Sequence, residues 1–222
     1  MDLTLSGPRP VEGPMTTPRK RTRLTPEARR DQILDRAAEL VLAEGLAAVS
    51  MEGVARAAEV SKGLVYNYFP DRLALFAALL QREQRDLNDR GMRNALEAED
   101  FADLIRRTTG LYLRQTEARG ALIAALLSDP GLTRMMEEES RVDREQTFRF
   151  FVRATRRAYG LPLPTAIAAV DLLWAVTNQA GRLVGQGLMS AEEATEMCVR
   201  LFVGGLAELA KGVVEDADSR PA

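Results

Sequence analysis

The sequence predicts an all-α protein of about nine helices, and three observations carry that reading. Apolar residues recur at helical spacing, as in Ile33, Ala37, Leu40 and Val41, so one face of each segment is apolar. No β-rich segment stands between the breaks at Gly120, Asp129-Pro130, Gly160 to Pro162 and Gly187. Helix-start signals sit where the runs begin: Thr25 with Pro26, Ser50, Asp71, and Ser190 with Glu193 three residues on.

Taken in order, Thr25 and Pro26 open a helix over 26–44 that stops at Gly45. Ser50 caps a short helix over 51–58, residues 59–61 make a tight connection, and a third helix over 61–68 is stopped by Pro70. Asp71 caps a fourth, over 72–95, with the stripe Leu73, Phe76, Ala77 and Leu80. Further helices are expected over 101–118, 121–128, 131–158, 164–185 and 191–212. Two short helices joined by a three-residue turn and braced by longer ones form a helix-turn-helix. Residues 1–24 carry prolines at 8, 10, 14 and 18, have no apolar period and read as a disordered arm. The expected division is therefore an arm at 1–24, a three-helix domain at 25–71 and a larger helical domain at 72–222.

Composition narrows the function. With 222 residues, 46% of them hydrophobic, the chain can bury a real core, which excludes disorder of the whole. A net charge of −2 gives no global attraction to nucleic acid or an anionic membrane, so a basic surface must be local. It is found at residues 19–30, where six basic residues face Glu27 alone. The chain has no histidine, which removes the usual general base, the common nucleophile pairs and the commonest metal ligand. No catalytic set, metal site or cofactor is expected, and the protein reads as a non-enzyme. Glu137, Glu138 and Glu139, followed by Arg141 and Arg144, read as a solvated helix face with an i,i+4 pair from Glu137 to Arg141. The single cysteine, Cys198, suits a reducing cytoplasm. No apolar run approaches the ~20 residues of a membrane span and no signal-peptide core is seen, so a cytoplasmic protein with no membrane partner is expected.

The stretch VARAAEVSKGLVYNYFPDRLAL closely resembles the DNA-binding signature of the tetracycline-repressor (TetR) family, IA-x-x-AGVS-K-G-T-x-Y-x-YF-x-x-K-x-x-L, and the match covers about residues 28–80. The resemblance implies that residues 61–68 are a recognition helix for a major groove. Its buried side is expected to be Val60, Leu64 or Val65, and Phe69, and its outer side Lys62, Gly63, Tyr66, Asn67 and Tyr68. By the same resemblance Lys62 and Tyr66 meet phosphates or base edges, Gly63 lets the backbone approach the duplex, and Tyr68 and Arg72 contact phosphate. Ser50 stands where a helix N-terminus meets a phosphate, and Arg21 and Arg23 belong to the basic arm. Two residues depart from the signature. Glu59 replaces a turn glycine, so it takes a left-handed conformation at about 1 kcal/mol or alters the turn. Leu64 replaces a threonine and keeps an apolar group for a thymine methyl. Glu52 either accepts from cytosine or is solvated.

For residues 90–222 the resemblance implies a divergent helical domain for ligand binding and dimerisation, with the last two helices of each subunit forming the interface. Gly181, Gly185, Phe202, Gly205 and Leu206 are the interface candidates, although a plain intrachain core shows the same stripe. Tyr112, Met135, Phe148, Phe151, Trp174 and Asn178 are the pocket candidates, for a small, mostly apolar ligand. The expected function is a homodimeric, ligand-responsive transcriptional regulator, a repressor on a palindromic double-stranded DNA operator. An all-α small-molecule-binding protein or enzyme, or a protein-interaction adaptor, with a helix-turn-helix-like N-terminus, is the alternative.

Overall fold

A computed structural model of the protein describes residues 24–139 and 141–218, so Arg21, Arg23 and the remainder of the basic arm lie outside the described residues. Among the described residues there are nine α-helices, one 3-10 turn and no strand. The helices are α1 (Pro26–Glu44), α2 (Met51–Ala57), α3 (Lys62–Tyr68), α4 (Arg72–Leu96), α5 (Phe101–Leu127), α6 (Pro130–Glu139), α7 (Arg141–Tyr159), α8 (Leu163–Gly185) and α9 (Ala191–Asp218); the 3-10 turn is Leu46–Ala48.

The starts form for the reasons the sequence gives. Thr25 Oγ1 accepts from the Ala28 N–H at 3.2 Å, Ser61 Oγ from Leu64 at 3.2 Å and Asp71 Oδ1 from Ala74 at 2.8 Å. At α9 the capping box closes both ways: the Ser190 N–H donates to Glu193 Oε2 at 3.0 Å and the Glu193 N–H to Ser190 Oγ at 3.2 Å.

One expected boundary is corrected. Residues 101–118 and 121–128 are one helix, α5, running through Gly120. A lone interior glycine costs only about 1 kcal/mol, and α5 packs along α4, α8 and α9, which outweighs it. Within the expected helix over 131–158 the described residues form α6, Pro130–Glu139, and α7, Arg141–Tyr159, with residue 140 outside them. The i,i+4 pair expected from Glu137 to Arg141 rests on a Glu137 side chain that lies outside the described residues.

One apolar core joins α1 to α4, with Ile33, Leu34, Val54, Val65, Phe69 and Phe76 buried in it, and continues into Leu122 and Leu126 of α5 and Leu132 of α6. Further cores lie among α5, α8 and α9 around Leu113, Val184 and Phe202, and among α7, α8 and α9 around Val152, Ala166 and Leu206. Helix α4 belongs to both halves. Its first turns, through Leu75, Leu79 and Leu80, are buried in the first core, while Leu87, Asn88 and Met92 further along line a cavity in the second half. Among the described residues no single helix is long and apolar enough to cross a membrane.

Candidate nucleic-acid interface and central cavity

The turn between α2 and α3 settles the question raised by Glu59. This residue is the one non-glycine with positive φ among the described residues, at 54°. The Val60 N–H reaches Ala55 O at 3.0 Å and the Glu59 N–H reaches Arg56 O at 3.2 Å. These are the paired bonds of a Schellman closure, so the turn keeps its glycine-like shape and Glu59 bears the left-handed strain. Gln32 of α1 donates to Ala58 O at 3.1 Å and fixes the turn to the domain.

From that turn α3 presents two faces. Val65 and Phe69 are buried and Leu64 is half-buried, whereas Lys62, Gly63, Tyr66 and Asn67 are exposed. Tyr68 is half-buried and packs against the core, with its ring 6.3 Å from that of Phe69. A Cβ added to Gly63 meets nothing within 4 Å, so the backbone there is bare surface. Lys62 Nζ is ion-paired to Glu52 of α2 and lies 5.9 Å from the Tyr66 ring. The hydrogen bond and charge of Glu52 push the Lys62 ammonium up, and those of Lys62 hold the Glu52 carboxyl below its ordinary value. Glu52 is thus a partner of Lys62, a pairing that ten residues of sequence separation concealed.

Ser50 and Arg72 border a shallow notch of about 400 Å³ together with residues 47–49, Met51, Glu52 and Tyr66. Ser50 Oγ caps α2, accepting from the Gly53 N–H at 3.1 Å. Arg72 Nη1 donates to Leu46 O and Ala47 O, each at 3.3 Å, and its guanidinium lies 5.5 Å over the Phe76 ring. In this structure Arg72 therefore clasps the loop after α1, a role that sequence reasoning missed.

The second half encloses a cavity of about 840 Å³ walled by α4, α5, α7, α8 and α9, within the range that takes a drug-sized molecule. Of the pocket candidates, Tyr112, Phe151 and Trp174 line it. Phe148 stacks on Trp174 at 5.8 Å from behind, and Asn178 accepts from Tyr112 Oη at 3.4 Å. Burial pushes the Tyr112 phenol up, partly offset by a hydrogen bond with Thr116. Met135 packs on the first core instead. The buried residues around it are Ile105, Thr109, Leu111, Thr155, Val170 and Phe202, of which the sequence had singled out only Phe202, as an interface candidate.

The interface candidates divide. Phe202 and Leu206 are buried within the chain, and Gly181 is buried against α5, where an added Cβ comes within 2.9 Å of Tyr112 Oη. A Cβ on Gly185 lies 3.7 Å from Thr116. Gly205 faces open space. The exposed large apolar groups of these helices are others: Leu163, Ile167, Leu172 and Val176 on α8, and Met197, Leu201 and Leu209 on α9.

The α1–α4 helix-turn-helix unit and the cavity-bearing helices that follow it share α4. Residues 33–79 match the family described as bacterial regulatory proteins, tetR family. The N-terminal domain belongs to that family, and the fold of the chain is that of TetR-like proteins. The HTH-type transcriptional repressor KstR of Rhodococcus jostii is 40% identical over 73 residues, covering 31% of this chain and 34% of KstR. The HTH-type transcriptional activator FasR of Mycolicibacterium smegmatis is 38% identical over 78 residues, 35% of each chain. The chain thus spans about a third of the length of these curated relatives. A TetR-like transcriptional regulator from a Rhodococcus species superposes with a TM-score of 0.68 at 20% identity, covering 83% of this chain and 99% of that one. The fatty acid degradation regulator FadR from Bacillus halodurans gives 0.66 at 18% identity, covering 83% and 98%.

Proposed function

We propose that the protein is a homodimeric, ligand-responsive transcriptional regulator of the cytoplasm, a repressor that binds a palindromic operator through α3 and releases it when a small molecule fills the central cavity. One observation carries this reading: α4 is both a core helix of the reading head, through Leu75 and Leu79, and a wall of the cavity, through Leu87 and Met92. The two halves are also tied by charge. Arg82 of α4 pairs with Asp35 of α1 at 2.8 Å, and the next residue, Glu83, pairs with Arg119 of α5 at 2.6 Å. A displacement of α4 or α5 around a bound molecule is carried through these contacts to α1 and α3.

In the reading head Lys62, Tyr66 and Asn67 contact the groove and its phosphates, with Gly63 at the closest approach. Lys62 must leave Glu52 to do so. Subunits join through the exposed faces of α8 and α9, where Leu172, Val176, Met197, Leu201 and Leu209 flank the open backbone at Gly205. Ligand and operator oppose each other by the same factor, typically ~1 to 3 kcal/mol of coupling.

The test is repeated selection of bound duplexes from a random library with the full chain. A two-fold symmetric site should be enriched, and Tyr66→Ala should lose affinity for it more than for unrelated duplexes. A pool with no symmetric sequence, or a variant that binds the site like wild type, contradicts the proposal.

A further inference from the structure

The surface that carries the outer face of α3 also carries a carboxylate. Glu52, in the first turn of α2, is exposed and ion-paired to Lys62 in the first turn of α3, and it borders the notch shared with Ser50, Tyr66 and Arg72. Arg56, one turn further along α2, adds a weaker attraction. The side chains of Glu52 and Lys62 meet, so a duplex that Lys62 reaches brings its phosphates close to Glu52 as well. At that range physiological salt, with a screening length of ~8 Å, leaves their repulsion in force. When Lys62 turns to the duplex, the carboxylate loses its partner, a cost that every sequence bears alike.

A cytosine removes that cost. In the major groove its exocyclic amine donates a hydrogen bond that a carboxylate accepts, while the guanine paired to it offers O6 and N7 as acceptors to an ammonium. Glu52 and Lys62 present an acceptor beside a donor, the complement of that base-pair edge. Adenine also shows an amine, but the N7 acceptor beside it repels a carboxylate, and thymine shows only an acceptor and a methyl group.

We infer that Glu52 is a specificity-determining residue of the reading head: its carboxylate accepts from the amine of one cytosine in each half-site and lowers affinity for duplexes that lack a cytosine there. The inference rests on the reading of α3 as the element that enters the major groove, and it adds a base reader on α2.

The test repeats the selection from a random duplex library with the full chain as wild type, Glu52→Ala, Lys62→Met and the double variant, and compares affinities for the selected duplex and an unrelated one by anisotropy. Wild type should enrich a symmetric site with one cytosine fixed in each half. Glu52→Ala should keep the rest of the site and become indifferent at that cytosine, and the ratio of its affinities for the selected and unrelated duplexes should fall about tenfold. Lys62→Met should keep the cytosine and the double variant should lose it, which assigns the preference to Glu52 and not to a freed lysine. Glu52 is exposed, so thermal unfolding of Glu52→Ala should match wild type. A wild-type site without such a cytosine, a Glu52→Ala pool that retains it, a loss of enrichment across the whole site, or an equal change for both duplexes overturns the inference. A wild-type pool with no symmetric site overturns the reading of α3 as well.

Discussion

A methyl group on Gly181 distinguishes an intrachain role for the glycine stripe of α8 from a role between subunits. In the structure the new Cβ meets Tyr112 Oη at 2.9 Å, Cε1 at 3.0 Å and Cζ at 3.3 Å, all closer than ordinary contact. The Tyr112 ring is itself held, since it packs against the α5, α8 and α9 core and its hydroxyl donates to Asn178. Overpacking of this kind costs about 1 to 3 kcal/mol, while alanine improves on glycine in a helix interior by about 1 kcal/mol. Gly181→Ala should therefore destabilise the protein by roughly 1 kcal/mol, a fall in Tm of about 2 to 4 °C for a chain of this size. Thermal unfolding would be followed by circular dichroism at one fixed protein concentration, because dissociation alters Tm by mass action. Tyr112→Phe in the same background removes the tightest contact and should recover part of the loss, giving a non-additive cycle. Sedimentation velocity should find the oligomeric state unchanged. A Gly181→Ala protein that is at least as stable as wild type but dissociated would place the residue between subunits and refute the packing argument.

Three further outcomes are expected. Leu201→Glu, on the exposed face of α9, puts an unpaired charge into a two-fold interface twice and should yield monomers by sedimentation at micromolar concentration; an unchanged dimer would exclude that face. Glu52→Gln releases Lys62 from its ion pair, so affinity for the selected duplex should rise and the log–log salt dependence should steepen by up to about one unit in an anisotropy titration, while an unchanged slope denies Lys62 a phosphate contact. The third concerns Glu83, buried on α4. Burial pushes its carboxyl up, but the hydrogen bonds and charges of Arg119 and Arg82 outweigh this and hold it below the ordinary value of 4.5. A carboxyl depressed on folding stabilises the folded state above its unfolded pKa and loses that contribution as pH falls through the folded value, so Glu83→Gln should flatten the loss of stability below about pH 4.5. Arg119→Met at neutral pH, which leaves that carboxylate with Arg82 and Gln115, should cost about 2 to 3 kcal/mol in urea unfolding.

The helix-turn-helix was legible because its determinants are local. Caps at Ser50, Ser61 and Asp71 and the left-handed Glu59 concern groups within a few residues of each other, and the structure reproduces them. What escaped was set by distance. The partner of Lys62 lies on another helix, and Arg72 reaches back to carbonyls more than twenty residues earlier. In the second half an apolar stripe did not reveal which side of it faces inward. Gly181, Phe202, Leu206 and Gly205 were read together as interface candidates, yet the first three turn toward the chain's own core and Gly205 toward solvent. Gly120 misled for a related reason, since local propensity has no knowledge of the three helices packed along α5.

The most direct measurement is a hydroxyl-radical footprint of the full chain on its selected duplex. Two recognition helices on one dimer reach successive major grooves only at a separation near one helical turn, roughly 34 to 36 Å, or a compatible distorted spacing. The account predicts two protected patches related by a dyad and about ten base pairs apart, both lost together in Leu201→Glu and both released by a molecule that quenches Trp174. A single protected half-site that survives Leu201→Glu, or a footprint that is unaffected when the cavity is filled, would contradict it.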